Sequence, residues 1–493
     1  MDMKVAIGER IAQLRKAKKL SQQKFSYEAE IERSYLTHVE KGRKNISIDT
    51  LIKITNALGV SLKEFFKPEV FSKMSRRLNF IDLFAGAGGL SEGFIREGYE
   101  PIAHVEMDEA ACYTLKTRAA YHFLKSEKKL EIYKQYLKNE ISRDGLYQEI
   151  PEDVLRSIIN LPIGAENNPE IHKEIARQLN NREVDLIIGG PPCQAYSLAG
   201  RARSNNKMKG DPRNYLYVQY AKYLEKYQPK MFVFENVLGL KSAGSGIYLK
   251  NMERLFDKKG YNIQLFTVEA NNFGVLQNRK RIIIIGCHKD LNIILPDIEA
   301  IRWHKKHTVN ELLSDLPPIK AGEGVDKFVL YYKHSIEYLN NAGIRNGINI
   351  LTQHVARPHT LQDKEIYRIA VEHLLKGQRL SYTSLPDRLK SHANQHSFLD
   401  RFKVVDANAE YSQTVVAHIA KDGHYYIHPD IKQNRSLTVR EAARLQSFPD
   451  DYYFEGVIEG KNRTAAFKQI GNAVPPMMAE KIAHSIKNIL SNC

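Results

Sequence analysis

Along residues 4–66 the apolar positions recur three and four apart, in short runs separated by polar turns. That is the pattern of amphipathic helices. Ile7, Ile11 and Leu14 form one such stripe, which ends near the basic run Lys16 to Lys19. Ser21 stands as an N-cap before QQKFSYEA, and ERSYLTHVE (Glu32 to Glu40) makes a further helical segment closed by Gly42. Ser47 caps a run carrying Leu51, Ile54 and Leu58, and Ser61 caps a short fifth helix. Residues 71–77 (FSKMSRR) read as a linker.

From Leu78 the pattern changes. NFIDLF, DLIIGG, MFVFENV and RIIIIG are short apolar runs that read as strands, with helical patterns between several of them. This alternation predicts parallel strands with crossover helices, an α/β doubly wound sheet. Residues 115–180 are highly charged and mostly helical in pattern, and read as an insertion. Residues 290–405 lose the strand–helix rhythm and are rich in His, Asn, Lys and Arg, while SLTVREAARLQSF and MMAEKIAHSIKNIL predict two closing helices.

Charge adds a partner class. Lys and Arg number 73 against 57 Asp and Glu, a net charge of +16, which favours a polyanion. Residues 4–67 alone carry 14 basic and 7 acidic side chains. No apolar run reaches the length of a membrane span, and Met1 is followed by charged and polar residues rather than a signal core. The four cysteines (Cys112, Cys193, Cys287, Cys493) are scattered, which supports neither a zinc clamp nor a disulfide framework. The expectation is a cytoplasmic protein with no membrane partner and no metal.

Two segments carry candidate chemistry. DLFAGAGGLSEGF (82–94) is a strand, a glycine turn and a helix. Glycines at 86, 88 and 89 let a ligand approach the backbone, and the helix N-terminus offers N–H groups to a carboxylate. No Lys–Ser/Thr pair follows, which excludes a P-loop. Glu106 ends the next strand, 20 residues after Gly86, where an acid can bond ribose hydroxyls. A tight turn made only for packing is the alternative.

Cys193 lies in DLIIGGPPCQAYS, directly after a buried-looking strand. The Gly-Gly-Pro-Pro frame is a rigid mount that an inert core thiol does not need. A zinc deaminase also sets a Cys after Pro, but it needs a second nearby Cys, which is absent here. MFVFENV ends in Glu235 and Asn236, a carboxylate that either works or pairs with an Arg. Arg279 and Arg281 of QNRKRIIIIG alternate, hence share one strand face.

DLFAGAGG, GGPPCQ, ENV, QNRKR, LTVREAARLQSFP and QIGNAVPP occur here in the order found in DNA cytosine-5 methyltransferases, and the chain resembles that family across these six blocks. Residues 4–66 resemble the Cro/repressor type of helix-turn-helix. The resemblance implies S-adenosylmethionine as cofactor and double-stranded DNA as partner. Phe84, Ala85, Gly86, Gly88 and Gly89 would line the cofactor pocket, with Glu106 on the ribose, Met107 against adenine, and Asn472 and Val474 completing it. Cys193 would add to carbon 6 of a flipped cytosine, Glu235 would contact the cytosine edge, and Arg279 and Arg281 would hold the site and the base. Residues 198–214 correspond to a mobile loop whose Arg201 and Arg203 suit phosphates.

The implied domains are 1–70 helix-turn-helix, 71–77 linker, 78–286 first catalytic part, 287–405 target recognition and 406–493 catalytic return. In the first, Arg33, Ser34, Tyr35 and Thr37 are candidate base or backbone contacts, and Gln22, Lys41, Arg43 and Lys44 phosphate contacts. A dimer on an operator and a cognate restriction endonuclease are the implied further partners. The family's acid toward the adenine amino group, in a short Asp-Ile block, has no clear counterpart; Glu140 in NEIS is the candidate. Two other classes are a transcription regulator with an idle catalytic domain, against which the intact Cys193, Glu235 and Arg281 argue, and a tRNA methyltransferase, whose Cys-Phe-Thr signature is absent.

Overall fold

The computed structural model describes residues 3–67, 77–192, 215–291, 293–391 and 399–491. The chain divides into two compact units, Met1–Leu78 and Asn79–Cys493.

The first unit is five helices: α1 Met3–Ala17, α2 Gln22–Glu28, α3 Arg33–Glu40, α4 Ile48–Ala57 and α5 Leu62–Phe65. The serines read as caps act as such. Ser21, Ser47 and Ser61 accept the backbone N–H of Lys24, Thr50 and Glu64, each satisfying a donor the helix leaves open. Ile11, Phe25, Leu36, Val39, Ile54 and Phe65 form the core. A Cβ on Gly8 would lie 2.2 Å from the Val39 carbonyl oxygen, so α1 presses closely on α3. The α2–α3 turn is tight enough to hold Glu30 at φ 51.

The second unit is built on seven strands: β1 Asn79–Leu83, β2 Glu100–Glu106, β3 Ile158–Asn160, β4 Leu186–Gly189, β5 Met231–Asn236, β6 Tyr261–Glu269 and β7 Lys280–His288. Their order is β3-β2-β1-β4-β5-β7-β6. The first five run parallel, and β5, β1 and β4 are buried throughout, which is why they read as unbroken apolar runs. β7 runs antiparallel to both β5 and β6, so an antiparallel hairpin closes a sheet expected to be parallel. The strand order reverses between β1 and β4, the point where open α/β sheets bind ligands.

The segment 115–180 is less of an insertion than its charge suggests. Helices Glu109–Ser126 and Asn168–Leu179 are ordinary crossovers on either side of β3. Only Leu130–Leu137, Arg143–Gln148 and Glu152–Arg156 are added between them. Tyr133, Tyr136, Leu137 and Leu146 of these added helices pack with Ile348, Ile350 and Tyr453.

The closing helices are Val439–Leu445, Arg463–Asn472 and Pro476–Leu490. The first starts at a capping box in which Thr438 and Glu441 bond each other's backbone N–H. The last lies against helix Gly89–Arg96, where a Cβ on Gly93 would sit 2.4 Å from the Glu480 nitrogen. Among the described residues, no helix is long and apolar enough to cross a membrane.

Candidate active site and DNA-reading helix

β1 delivers its chain into a turn with unusual backbone. Phe84 has φ 59, Gly86 φ 55 and Gly88 φ 79, and a left-handed conformation at an aromatic residue costs about 1–2 kcal/mol unless its surroundings enforce it. The enforcement is visible. Glu106, at the end of β2, accepts the Gly86 N–H at 2.8 Å through Oε2, and the Met107 and Asp108 N–H groups at 2.8 Å through Oε1. Burial outweighs those three donors and raises the Glu106 carboxyl above the ordinary carboxylate range. Three of its roughly four acceptor sites are thereby used, and Oε2 keeps one for a ligand hydroxyl.

A Cβ on Gly86 would meet nothing within 4 Å, so open space fronts the turn at that residue. Gly89 is the opposite case: its Cβ would lie 2.2 Å from the Val474 carbonyl oxygen and 3.1 Å from the Ala473 Cβ. The turn is therefore walled by the segment after helix Arg463–Asn472, with Val474 buried and Asn472 exposed. Met107 is 65% exposed beside the open face. Asn160, at the end of β3, donates through Nδ2 to the carbonyls of Glu106 at 3.1 Å and Met107 at 3.2 Å. Glycine-fronted space, a strand-end carboxylate and an exposed thioether fit a nucleoside-bearing ligand.

Glu140 is not at this edge. It lies in the turn after helix Leu130–Leu137, half exposed and 3.9 Å from Lys138. The strand-end position beside Glu106 belongs to Asn160, in register with it across β2 and β3.

β4 leads into the Gly-Gly-Pro-Pro turn. A Cβ on Gly190 would lie 2.7 Å from Glu235 Oε2, so the carboxylate at the end of β5 sits directly over that turn. Asn236 is buried and donates through Nδ2 to the Pro191 carbonyl at 3.4 Å. Arg281 Nε stands 2.7 Å from Glu235 Oε1, both side chains nearly buried. Cys193, Arg201 and Arg203, with the rest of 193–214, lie outside the described residues.

Arg279 does something different from Arg281. It is fully buried, and its guanidinium donates to the carbonyls of Val415 at 2.9 Å, Ala473 at 2.8 Å and Gly471 at 3.3 Å. It pins the return segment that walls the glycine turn, which makes it a positioning residue. Gln277 and Gln446, also fully buried, extend the seam. Gln277 donates to the Leu445 carbonyl at 2.9 Å and accepts the Val415 N–H at 3.0 Å, while Gln446 donates to the Ile470 carbonyl at 2.7 Å. Their blocks are legible in the sequence, but nothing in one chain marks which members face inward.

In the first unit α3 carries exposed Arg33 and Ser34, followed by exposed Lys41, Arg43 and Lys44. Arg33 Nη1 lies 3.4 Å from Gln23 Oε1. The Thr37 hydroxyl donates to the Arg33 carbonyl within its own helix. Tyr35 donates its hydroxyl to the Asn45 carbonyl at 2.9 Å, clamping the α3–α4 turn. Gln22 donates to Glu40 at 2.7 Å, and the same carboxylate takes Arg15 at 2.7 Å. The Gln22 side chain thus belongs to an internal polar cluster, an arrangement that residues so far apart in sequence do not advertise.

Comparison with known proteins bears on both units. The family model for C-5 cytosine-specific DNA methylases matches residues 78–151 and 152–488, and a helix-turn-helix model matches 11–65. The type II methyltransferase M.Bpa9945I of Bacillus paralicheniformis is 42% identical over 445 residues, covering 83% of this chain and 99% of its own. The type II methyltransferase M.DdeI of Desulfomicrobium norvegicum is 32% identical over 429 residues, covering 84% and 90%. A crystal structure described as a prophage-encoded DNA modification methyltransferase of E. coli superposes with TM-score 0.55 at 25% identity, over 84% of this chain and 99% of its own.

Proposed function

The chain belongs to the C-5 cytosine-specific DNA methylases of type II restriction–modification kind, with a helix-turn-helix domain at its N-terminus, and we propose that Cys193 is its nucleophile. The observation that carries this is the Glu235 carboxylate over Gly190, with Arg281 at 2.7 Å on its other side. A strand-end acid and the guanidinium paired with it stand at the turn that leads into Cys193.

In this mechanism the Cys193 thiolate adds to carbon 6 of a cytosine turned out of the duplex, which places electron density on carbon 5. Extrusion costs on the order of a few kcal/mol. Glu235 reads the exocyclic amine and stabilises charge developing toward ring nitrogen 3, and Arg281 orients Glu235. S-adenosylmethionine supplies an electrophilic methyl group when bound. Phe84, Ala85, Gly86, Gly88 and Gly89 would line its pocket, Glu106 would hold its ribose, Met107 would take the adenine side, and Asn472 and Val474 would complete the wall. Asn160 takes the strand-end place of the family's acid: its Nδ2 donates to two carbonyls, so the atom it would offer an amino group is its Oδ1, an acceptor. After transfer the carbon 5 proton is lost to water and the carbon 6–sulfur bond breaks, which returns the Cys193 thiolate and restores the aromatic ring.

Residues 287–405 read the target sequence and Arg201 and Arg203 contact phosphates. The helix-turn-helix unit, through Arg33, Ser34 and Thr37 with Lys41, Arg43 and Lys44 on the backbone, binds an operator as a dimer and represses transcription in the cytoplasm of a cell that also makes the cognate endonuclease. Bisulfite sequencing of DNA from expressing cells gives the recognition site. Duplex carrying 5-fluorocytosine in that site, incubated with cofactor, then forms a covalent protein–DNA band that Cys193→Ala does not form. No band from the wild type means the thiol does not attack the base.

A further inference from the structure

Two backbone groups of the glycine turn are held by side chains from outside it. Glu106 takes the N–H of Gly86 at 2.8 Å. The carbonyl of Ala87 is taken by the hydroxyl of Tyr452, a residue 365 positions later. A Cβ on Gly88 would lie 2.8 Å from that same hydroxyl oxygen, so Gly88 is bare partly to admit Tyr452. We propose that Tyr452 is a positioning residue for the cofactor, fixing the turn from the return segment as Glu106 fixes it from β2. The inference rests on the turn being the S-adenosylmethionine site, as proposed above.

The hydroxyl is well placed to do this because its ring cannot move. Tyr452 is 1% exposed. The Arg118 guanidinium lies over the ring, 4.8 Å from its centroid, and is itself tied to Glu92 at 2.6 Å and Asp451 at 3.2 Å. Phe448 meets the ring edge-to-face at 4.9 Å and Phe454 flanks it at 5.2 Å. Arg440 holds the Tyr452 carbonyl at 2.9 Å. A buried donor on so rigid a mount makes the turn geometry part of the fold rather than something the ligand must induce. Without it the Ala87 carbonyl is left buried and unsatisfied, and the turn gains conformations that do not bind.

The test compares two variants of the full chain, each lacking one buried tyrosine hydroxyl. Tyr452→Phe loses the bond to Ala87. Tyr133→Phe loses a bond of the same kind to the Asp451 carbonyl, one residue from Tyr452 but off the turn. Calorimetric titration with S-adenosylmethionine should show Kd raised about five- to twentyfold in Tyr452→Phe and unchanged in Tyr133→Phe. Melting temperatures of both should fall by similar small amounts, and kcat of Tyr452→Phe at saturating cofactor should match the wild type. Equal Kd in the wild type and Tyr452→Phe overturns the inference, as does an equal rise in both variants. A wild type that binds no S-adenosylmethionine overturns the cofactor reading itself, and is told apart by that first titration.

Discussion

Arg281 Nε lies 2.7 Å from Glu235 Oε1, joining the start of β7 to the end of β5 at the edge where the Gly-Gly-Pro-Pro turn begins. Because β7 runs antiparallel to β5, Arg281 comes one register step beyond the Asn236–Ile282 pair. The antiparallel hairpin therefore has a catalytic consequence: a parallel strand would bring its opposite end here.

This pair should act as a unit. Glu235→Gln and Arg281→Ala are each expected to lower the single-turnover methylation rate by about 10²–10³-fold, the usual size for one preorganised electrostatic group. The double variant should be little worse than the worse single one. Rapid-quench measurement at saturating DNA checks this, and additive losses would separate the two roles.

Gly86 and Gly89 should fail in different ways. Gly86→Ala adds a methyl that no protein atom opposes, so stability falls by only about 1 kcal/mol from the left-handed backbone, while cofactor affinity falls more than about tenfold as the methyl occupies ligand space. Gly89→Ala drives a carbon against the Val474 carbonyl and is expected to cost about 2–4 kcal/mol of stability. Calorimetric titration beside thermal melts distinguishes the two outcomes.

Arg279→Met should strip buried carbonyls at Val415, Gly471 and Ala473 of their donor. A loss of about 3 kcal/mol is expected. The chain's one tryptophan, Trp303, packs by Gly274 and Met477, so its fluorescence in a urea titration follows the second unit without signal from the first.

Glu455 should make a stabilising contribution to the second unit that fades as pH rises toward neutrality. Burial raises this carboxyl from 4.5 to about 7, against hydrogen bonds from Tyr136 and Thr117 and the charges of Arg143 and Lys327. A raised folded-state pKa favours the protonated fold: its contribution is complete below about 4.5, declines as pH climbs to about 7, and is level above. The decline amounts to about 3 kcal/mol. In denaturant melts at pH 5 and pH 8, the stability of Glu455→Gln relative to the wild type should improve by about that amount at the higher pH; the opposing slopes of buried histidines such as His428, held at about 4, cancel in the comparison.

Deleting residues 1–70 should leave methylation largely intact and abolish operator binding, since each unit has its own core. Methylation assays beside gel-shift measurements on the promoter fragment test this. Equal loss of both activities would mean that the units work only together.

Strands buried on both faces announced themselves in the sequence, as did the serine-capped helices, because burial and capping leave local marks. β3 did not: three residues inside a charged stretch carry no period, and Asn160 is hidden with it, so Glu140 in NEIS stands as the candidate instead. β6 carries no clear period: YNIQLFTVE alternates along only part of its length, its burial is uneven, and only its antiparallel pairing with β7 gives it meaning. The partners of Arg279, Gln277 and Tyr452 are backbone carbonyls far along the chain. A carbonyl has no identity in a sequence, so such contacts are invisible before the fold is known.

The helix Pro476–Leu490 closes over Gly89–Arg96, and Tyr99 donates to the carbonyl of Ala483, 384 residues later. Ribosomes add about 5–20 residues each second, so roughly 20–80 s separate the synthesis of those two positions. The first five helices are complete long before that interval ends. During every round of translation a nascent chain can therefore own a finished helix-turn-helix unit while its methyltransferase unit still lacks its closing helix.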